Sequence, residues 1–172
     1  DFEVDGIYYN ILSETDKTVE VTYKGDYPES FNEYIGVVTI PSTIILDGTT
    51  YSVVIIGEYA FKGCNELTSI SIPKGIAEIY NSAFEDCIGI RELYLEDCDN
   101  PIICKKEYDS QTVYFFKDSP IEYMYIGRDI INYSFSYFSK WKNTLKTVVI
   151  GDGMTIISNS IFDSCYELTS IT

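Results

Sequence analysis

Histidine is absent from this chain of 172 residues, and basic side chains are scarce. Without an imidazole, Ser–His–Asp and Cys–His catalysis, Cys/His zinc sites and the usual proton shuttle at neutral pH are excluded. Only 12 lysines and arginines stand against 27 aspartates and glutamates, which gives a formal net charge of -15. Because this charge repels phosphate backbones, we expect no nucleic-acid partner.

Long apolar runs are missing as well. One of the longest, Val53–Ile56, is far shorter than the ~20 residues of a membrane-spanning helix, so we expect no transmembrane segment in this chain. No glycine-rich phosphate loop and no EF-hand spacing occur, and we predict neither a cofactor nor a metal site. The opening residues DFEVDG are acidic, begin without methionine and do not form a signal peptide, so we expect a processed or trimmed N-terminus.

Apolar and aromatic residues, by contrast, are abundant, and they recur at a fixed interval. Hydrophobic residues make up 45% of the chain, enough for a sizeable core. The segment IGEYAFKGCNELTSISIP, which starts at Ile56, aligns with IYNSAFEDCIGIRELYL, which starts at Ile79, at an offset of 23 residues. In this alignment Ala60, Phe61, Cys64, Leu67, Ile70 and Ile72 fall on Ala83, Phe84, Cys87, Ile90, Leu93 and Leu95.

Later parts of the chain return to the same frame. The matching positions are Ile121, Met124 and Ile126, then Leu145, Val148 and Ile150, then Phe162, Cys165, Leu168 and Ile171. The third unit is longer than the others, and we interpret residues 96–111 as a loop insertion. We count about five units, the last of which is incomplete at Thr172. We expect that the full protein continues or that the chain is a fragment; the alternative is a partner chain that covers this end.

The repeated pattern indicates a stack of short coils. The motif L-x-x-I-x-I predicts a short strand with one buried face, and A-F-x-x-C predicts a return turn whose Phe and Cys point inward. A period in the low twenties with this motif is typical of leucine-rich repeats, in which stacked coils bury a continuous core. The segment IGEYAFKGCNELTSISIP closely resembles the repeat of the BspA-like leucine-rich repeat family, which is found on bacterial cell surfaces. The resemblance is good over residues 36–95 and 144–172 and weak between them.

We therefore predict a β-rich leucine-rich-repeat solenoid, an α/β-type superhelix with short parallel strands and an N-terminal β-hairpin cap. The cap spans residues 1–52 and the repeats span residues 53–172. In the cap, GIYYNIL and TVEVTY predict a hairpin, and Asp47-Gly48 predicts a tight turn before YSVVII. A cap covers the core that the first coil would expose. The alternative is an independent carbohydrate- or protein-binding module, for which ~50 residues make a thin core.

The cysteines and carboxylates carry no recognisable catalytic arrangement. Cys64, Cys87 and Cys165 share one repeat position, and we predict buried packing thiols because free cysteine behaves as a small hydrophobe. Cys98 and Cys104 lie in the insertion, where either a disulfide bridge or two free thiols would fit. We interpret the following acidic residues as solvated surface: Glu66, Glu85, Asp86, Glu92 and Asp163.

One set of residues is predicted to face outward along the stacked strands. Those that flank the second apolar position of L-x-x-I-x-I are Ser69, Ser71, Glu92, Tyr94, Tyr123, Tyr125, Thr147, Val149, Ser170 and Thr172. The candidate ligand-binding strip is the middle of this set, which comprises Glu92, Tyr94, Tyr123, Tyr125 and Thr147. Outward aromatic residues on a rigid sheet are typical interface anchors. The alternative is that tyrosine simply favours strands and covers its neighbours' flanks.

Three functions remain open at this stage. The resemblance implies a non-enzymatic module, secreted or on the cell surface, that acts in adhesion or protein–protein interaction. BspA-like proteins include adhesins that bind host matrix proteins, so a host extracellular-matrix protein is one expected partner. The second function is glycan binding by an accessory protein that stacks sugars on the tyrosine strip. The third, a carboxylate-based hydrolase, needs an acidic pair that the sequence does not display.

Overall fold

The structure is a computed structural model that describes residues 1–25, 34–80, 82–105, 116, 118–131, 141–157, 162 and 164–172. Asp163, which we interpret as surface, lies outside these residues. The regular elements of the described part are strands: β1 (Phe2–Val4), β2 (Ile7–Ser13), β3 (Thr18–Thr22), β4 (Gly36–Thr39), β5 (Thr43–Leu46), β6 (Thr49–Ile56), β7 (Leu67–Ile72), β8 (Glu78–Tyr80), β9 (Glu92–Leu95), β10 (Ile102–Lys105), β11 (Tyr123–Arg128), β12 (Ile130–Ile131), β13 (Thr147–Gly153) and β14 (Ser170–Ile171).

Antiparallel hairpins build the N-terminal region. Strands β2 and β3 form the predicted hairpin, with Tyr9 opposite Val21. Strands β5 and β6 pair around Asp47-Gly48, whose φ angles of 49° and 77° are those of a type I′ turn. Strand β1 pairs with β2 around a second Asp-Gly turn at Asp5-Gly6, with φ angles of 51° and 82°. The predicted hairpin of β2 and β3 is therefore confirmed, and the hairpin of β1 and β2 precedes it in the chain.

A six-stranded parallel sheet contains the repeated L-x-x-I-x-I motif. Its strand order is β14-β13-β11-β9-β7-β4. Ile72 pairs with Leu95, 23 residues later, whereas Leu95 pairs with Ile126, 31 residues later. The third unit is thus longer, as the sequence indicates. Strand β4 pairs in parallel with β7, so the parallel ladder includes residues 36–39.

The returning side of each coil forms a second sheet. Its eight strands include the parallel series β6, β8, β10 and β12. Ile56 pairs with Ile79, and Ile79 pairs with Cys104. The interpretation of residues 96–111 as loop is therefore wrong for Ile102–Lys105, which form β10; residues 106–111 lie outside the described part. The backbone N–H and C=O groups of β10 need hydrogen-bond partners on this side of the stack, and β8 and β12 supply them.

A column of aromatic rings fills the core between the strands. The ring of Phe61 stacks on that of Phe84 with 4.9 Å between centroids, and Phe84 stacks on Phe116 at 4.1 Å. The ring of Tyr34 lies 4.6 Å from Phe61 at the cap side of this column. All four side chains are buried, and they belong to one hydrophobic cluster. Each coil therefore covers the apolar surface of its neighbour, as the repeat pattern predicts.

The cysteines are free thiols. Cys64 and Cys87 are buried, as predicted, and the Cys87 thiol lies 2.8 Å from the carbonyl oxygen of Phe61. Burial raises the pKa of Cys87, and it raises the pKa of Cys104 to about 12. Cys98 and Cys104 do not form the disulfide that their place in the insertion left open.

The last coil is only partly covered. Phe162, Cys165 and Leu168 are half-buried at the edge of the core. Ile171 occupies the repeat position of Ile70. Ile70 is fully buried, whereas Ile171 is 52% exposed. The prediction that Cys165 is a buried thiol is therefore wrong, since its side chain is half-buried.

Candidate functional site

The outer face of the six-stranded sheet carries two straight rows of side chains. Parallel pairing aligns equivalent residues of successive strands side by side. The first row runs through Val37, Ser69, Glu92, Tyr123, Thr147 and Ser170, and the second through Thr39, Ser71, Tyr94, Tyr125 and Val149. The five residues of the candidate strip are thus neighbours on three adjacent strands.

The exposure of the rows is uneven. Glu92 is exposed, and Tyr94, Tyr123, Tyr125 and Thr147 are half-buried. Ser69, expected to form part of the outward surface, is only 5% exposed. That expectation is therefore wrong for Ser69.

Two of the tyrosines form a ring pair. The rings of Tyr94 and Tyr123 lie 5.3 Å apart between centroids at an interplanar angle of 39°. The Tyr94 hydroxyl donates a hydrogen bond to Glu92 Oε2 at 3.2 Å. Burial and, next, this hydrogen bond raise the pKa of Tyr94, so its hydroxyl stays protonated at neutral pH. The pair is tilted and anchored at one end instead of forming a flat open platform.

The third tyrosine is fixed by an aspartate that the sequence pattern did not single out. The Tyr125 hydroxyl donates to Asp97 Oδ2 at 2.6 Å, and this hydrogen bond raises the pKa of Tyr125 to about 12. The backbone N–H of Asp152 donates to the other oxygen of Asp97 at 2.9 Å. Asp97 lies two residues after β9 and outside the repeat motif, so only the position of the following coil brings it to Tyr125.

Charges differ at the two ends of the strip. Near the N-terminal ends of the strands, Glu122 lies between two cations, 3.6 Å from Arg91 Nε and 2.6 Å from Lys146 Nζ. The hydrogen bond from Lys146 lowers the pKa of Glu122. At the opposite end lie Asp97 and Asp152, which add negative charge; the backbone N–H of Asp152 donates to the Asp97 carboxylate. The strip is therefore cationic to neutral at one end and acidic at the other.

The described residues hold no group of three His, Cys, Asp or Glu side chains in an arrangement that would bind a metal ion. In the same residues, no helix has the length and hydropathy of a membrane span. The side chains of the candidate site carry hydroxyl, carboxylate and aromatic groups.

Comparison with known proteins identifies the repeat. The profile of the family described as "BspA type Leucine rich repeat region" matches residues 32–169 in six copies. The match covers most of the chain, including the irregular middle part where the resemblance is weak by inspection. No curated protein sequence matches this chain.

Solved structures with the same fold come from bacteria. A leucine-rich repeat protein from Bacteroides ovatus is 26% identical, with a TM-score of 0.52, and the alignment covers 100% of this chain and 41% of that one. A leucine rich cell surface protein from Faecalibacterium prausnitzii is 23% identical, with a TM-score of 0.55 and coverage of 99% and 42%. The T. pallidum leucine-rich repeat protein is 16% identical, with a TM-score of 0.52 and coverage of 99% and 81%.

These likenesses confirm the predicted leucine-rich-repeat fold. The chain spans about two fifths of the length of the Bacteroides and Faecalibacterium proteins. The parallel strands, the stacked core and the repeat profile therefore all indicate a leucine-rich-repeat fold. None of them identifies a ligand.

Proposed function

The chain belongs to the BspA-type leucine-rich repeat family, and from this premise we propose that it is a non-enzymatic module that binds another protein. The proposed contact surface is the strip of Glu92, Tyr94, Tyr123, Tyr125 and Thr147 on the six-stranded sheet. The observation that carries the proposal is the register that places these residues side by side on β9, β11 and β13. A rigid sheet holds such side chains ready for contact and lowers the entropy lost on binding.

The chemistry of the strip favours a protein over a sugar. The Tyr94 and Tyr125 hydroxyls already donate to Glu92 and Asp97, and the rings of Tyr94 and Tyr123 are tilted. Half-buried tyrosines with polar tips are typical anchors of protein interfaces. The acidic end complements a partner that presents basic residues, since such pairing steers association and sets orientation. A glycan that stacks on Tyr123 is the second candidate, supported by the ring pair itself.

We also propose that the protein works outside the cell or on its surface. The support is the family, together with the Faecalibacterium protein, which is described as a cell surface protein. An adhesive role toward a host matrix protein follows from the same family resemblance.

The test is binding of the purified chain to a panel of purified extracellular-matrix proteins and to a glycan array. The variant Tyr94→Ala/Tyr123→Ala/Tyr125→Ala removes the three anchors, and Tyr166→Ala is the matched control because Tyr166 is 74% exposed in the last coil. We expect the triple variant to weaken binding to a protein ligand roughly tenfold or more, with the control unchanged. Equal affinity in a folded triple variant would end the proposal, and binding to glycans alone would favour the second candidate.

A further inference from the structure

An aromatic cleft lies on the outer face of the eight-stranded sheet. It has a volume of about 340 Å³, and three tyrosines and two glutamates contribute to its lining. The tyrosine cleft, as we call it, includes Asn10, Glu20, Tyr23, Glu58, Tyr59 and Tyr80. Strands β2, β3 and β8 and the loop after β6 bring them together. The cleft shares no residue with the strip.

The two glutamates leave negative charge in the cleft. Glu20 accepts one hydrogen bond, from Asn10 Nδ2 at 3.2 Å. Its other carboxylate oxygen lies over Gly57, where a Cβ atom would stand 2.8 Å from it, so this glycine makes room for the carboxylate. Within the described part of the chain, neither Glu20 nor Glu58 forms an ion pair.

Three lysines in this region are engaged by other groups, and one of them, Lys24, has its Nζ 5.8 Å from the ring centroid of Tyr8. Lys62 Nζ lies 2.9 Å from Glu85, and Lys105 Nζ lies 3.1 Å from Glu78. Lys62 Nζ also lies 4.8 Å from the ring centroid of Tyr59, a distance at which a cation and an aromatic ring attract each other. Because neither Glu20 nor Glu58 forms an ion pair in the described part of the chain, their negative charge can attract a cation from outside it.

The backbone of Tyr59 is strained. Its φ angle of 59° lies in the left-handed region, which an aromatic residue rarely adopts. Strain of this kind persists where the surrounding structure imposes it, and it is concentrated at functional sites. Here it holds the Tyr59 ring at the rim of the cleft.

We propose that the tyrosine cleft binds an alkylammonium cation. The faces of aromatic rings attract such a cation through their quadrupole, and its alkyl groups pack against the rings. Glu20 and Glu58 supply the counter-charge. The net charge of -15 raises the concentration of cations near the surface. The cation has two sources with the same chemistry: a quaternary ammonium group of a small molecule, or a lysine side chain of a protein.

NMR titration of the ¹⁵N-labelled chain tests the proposal. The probes are tetramethylammonium chloride and the amide of N-acetyl-lysine, and tert-butanol serves as the neutral control of similar shape. We expect saturable shifts confined to residues around the cleft with one or both cations, and the tighter probe identifies the source. The absence of shifts with both cations, or equal shifts with tert-butanol, would overturn the proposal.

Two variants place the binding in the cleft. Tyr59→Asn removes the ring and keeps a residue that tolerates positive φ, so we expect an unchanged or higher melting temperature. Tyr80→Ala removes a second ring. Each is expected to weaken cation binding roughly two- to fivefold. Tyr166→Ala in the last coil is the matched control and leaves cation binding unchanged. Wild-type affinity in the folded Tyr59→Asn and Tyr80→Ala proteins would contradict the assignment.

Discussion

At the scale of single residues, the sequence repeat predicts which side chains form the core. Contacts that do not recur from coil to coil could not be predicted in this way. The recurrence of Phe61 and Phe84 in A-F-x-x-C predicts that both lie in the core, and both are buried. Phe116 continues the same column at 4.1 Å from Phe84, but its flanks lack the alanine and cysteine of the motif. Asp97 and Glu20 acquire their roles from neighbouring coils, and a single coil's sequence carries no sign of those contacts.

The middle of the aromatic column is the most sensitive point of the core. Phe84 is 2% exposed and lies between Phe61 and Phe116. We expect Phe84→Ala to lower the free energy of unfolding by about 3–5 kcal/mol, since it removes apolar contacts and leaves a cavity. Urea denaturation measures the change, with Tyr166→Ala as the exposed control. A loss below ~1 kcal/mol would mean that the coil frame is misplaced.

The carboxylate of Asp129 is expected to make the stability of the fold depend on pH. Burial opposes ionisation of Asp129, but hydrogen bonds from Thr155 and the backbone of Ile156 outweigh it and lower the pKa. A lowered folded-state pKa stabilises the fold above the unfolded value of about 3.9, and this contribution is lost as pH falls through the folded-state value.

The variant Asp129→Asn isolates that effect. We expect it to lower stability by about 1 kcal/mol at pH near 7, and the difference from wild type to shrink below pH ~4. Thermal unfolding across this pH range measures it. A constant difference between the two proteins at every pH would show that the ionised carboxylate contributes nothing.

At the scale of elements, the strands of the six-stranded sheet were predictable and those of the opposite sheet were not. Strands β7, β9, β11 and β13 follow L-x-x-I-x-I, so their register was predictable. Strand β8 has three residues with one buried side chain, Ile79, and β10 has no repeat motif. Strands this short carry too few alternations for a period-2 pattern. The third coil connects them through residues that match no other unit.

A buried arginine links elements two coils apart. Arg128, at the end of β11, is 1% exposed and donates to the carbonyl oxygens of Pro73 and Ile76, each at 2.7 Å, and of Lys74 at 3.2 Å. We expect Arg128→Met to cost about 2–4 kcal/mol because it leaves buried carbonyls without donors. Urea denaturation measures the change, and a cost below ~0.5 kcal/mol would show that these carbonyls find other donors.

At the scale of the whole molecule, the two sheets give the coil stack two outer faces with different chemistry. One carries the strip, where tyrosines are tied to carboxylates, and the other carries the tyrosine cleft, where two glutamates lack cations. The boundary between a cap at 1–52 and repeats at 53–172 remains a proposal; β4 and the Tyr34 ring connect the two parts. Sequence repetition defines the stack, whereas the composition of each face differs from coil to coil.

Net charge acts on the molecule as a whole. With a formal charge of -15, repulsion between carboxylates destabilises the compact state, and salt screens it. We expect the melting temperature to rise by a few degrees between about 20 and about 300 mM sodium chloride. Differential scanning calorimetry measures it. A melting temperature that stays constant or falls would show that local ion pairs compensate the charge.

The most direct test of the strip as the contact surface is hydroxyl-radical footprinting of the chain with and without its bound protein ligand, read by mass spectrometry. We expect the ligand to protect Tyr94, Tyr123 and Tyr125 and to leave the exposed Tyr166 as reactive as in the free chain. Protection of Tyr166 without protection of the three strip tyrosines would contradict the account.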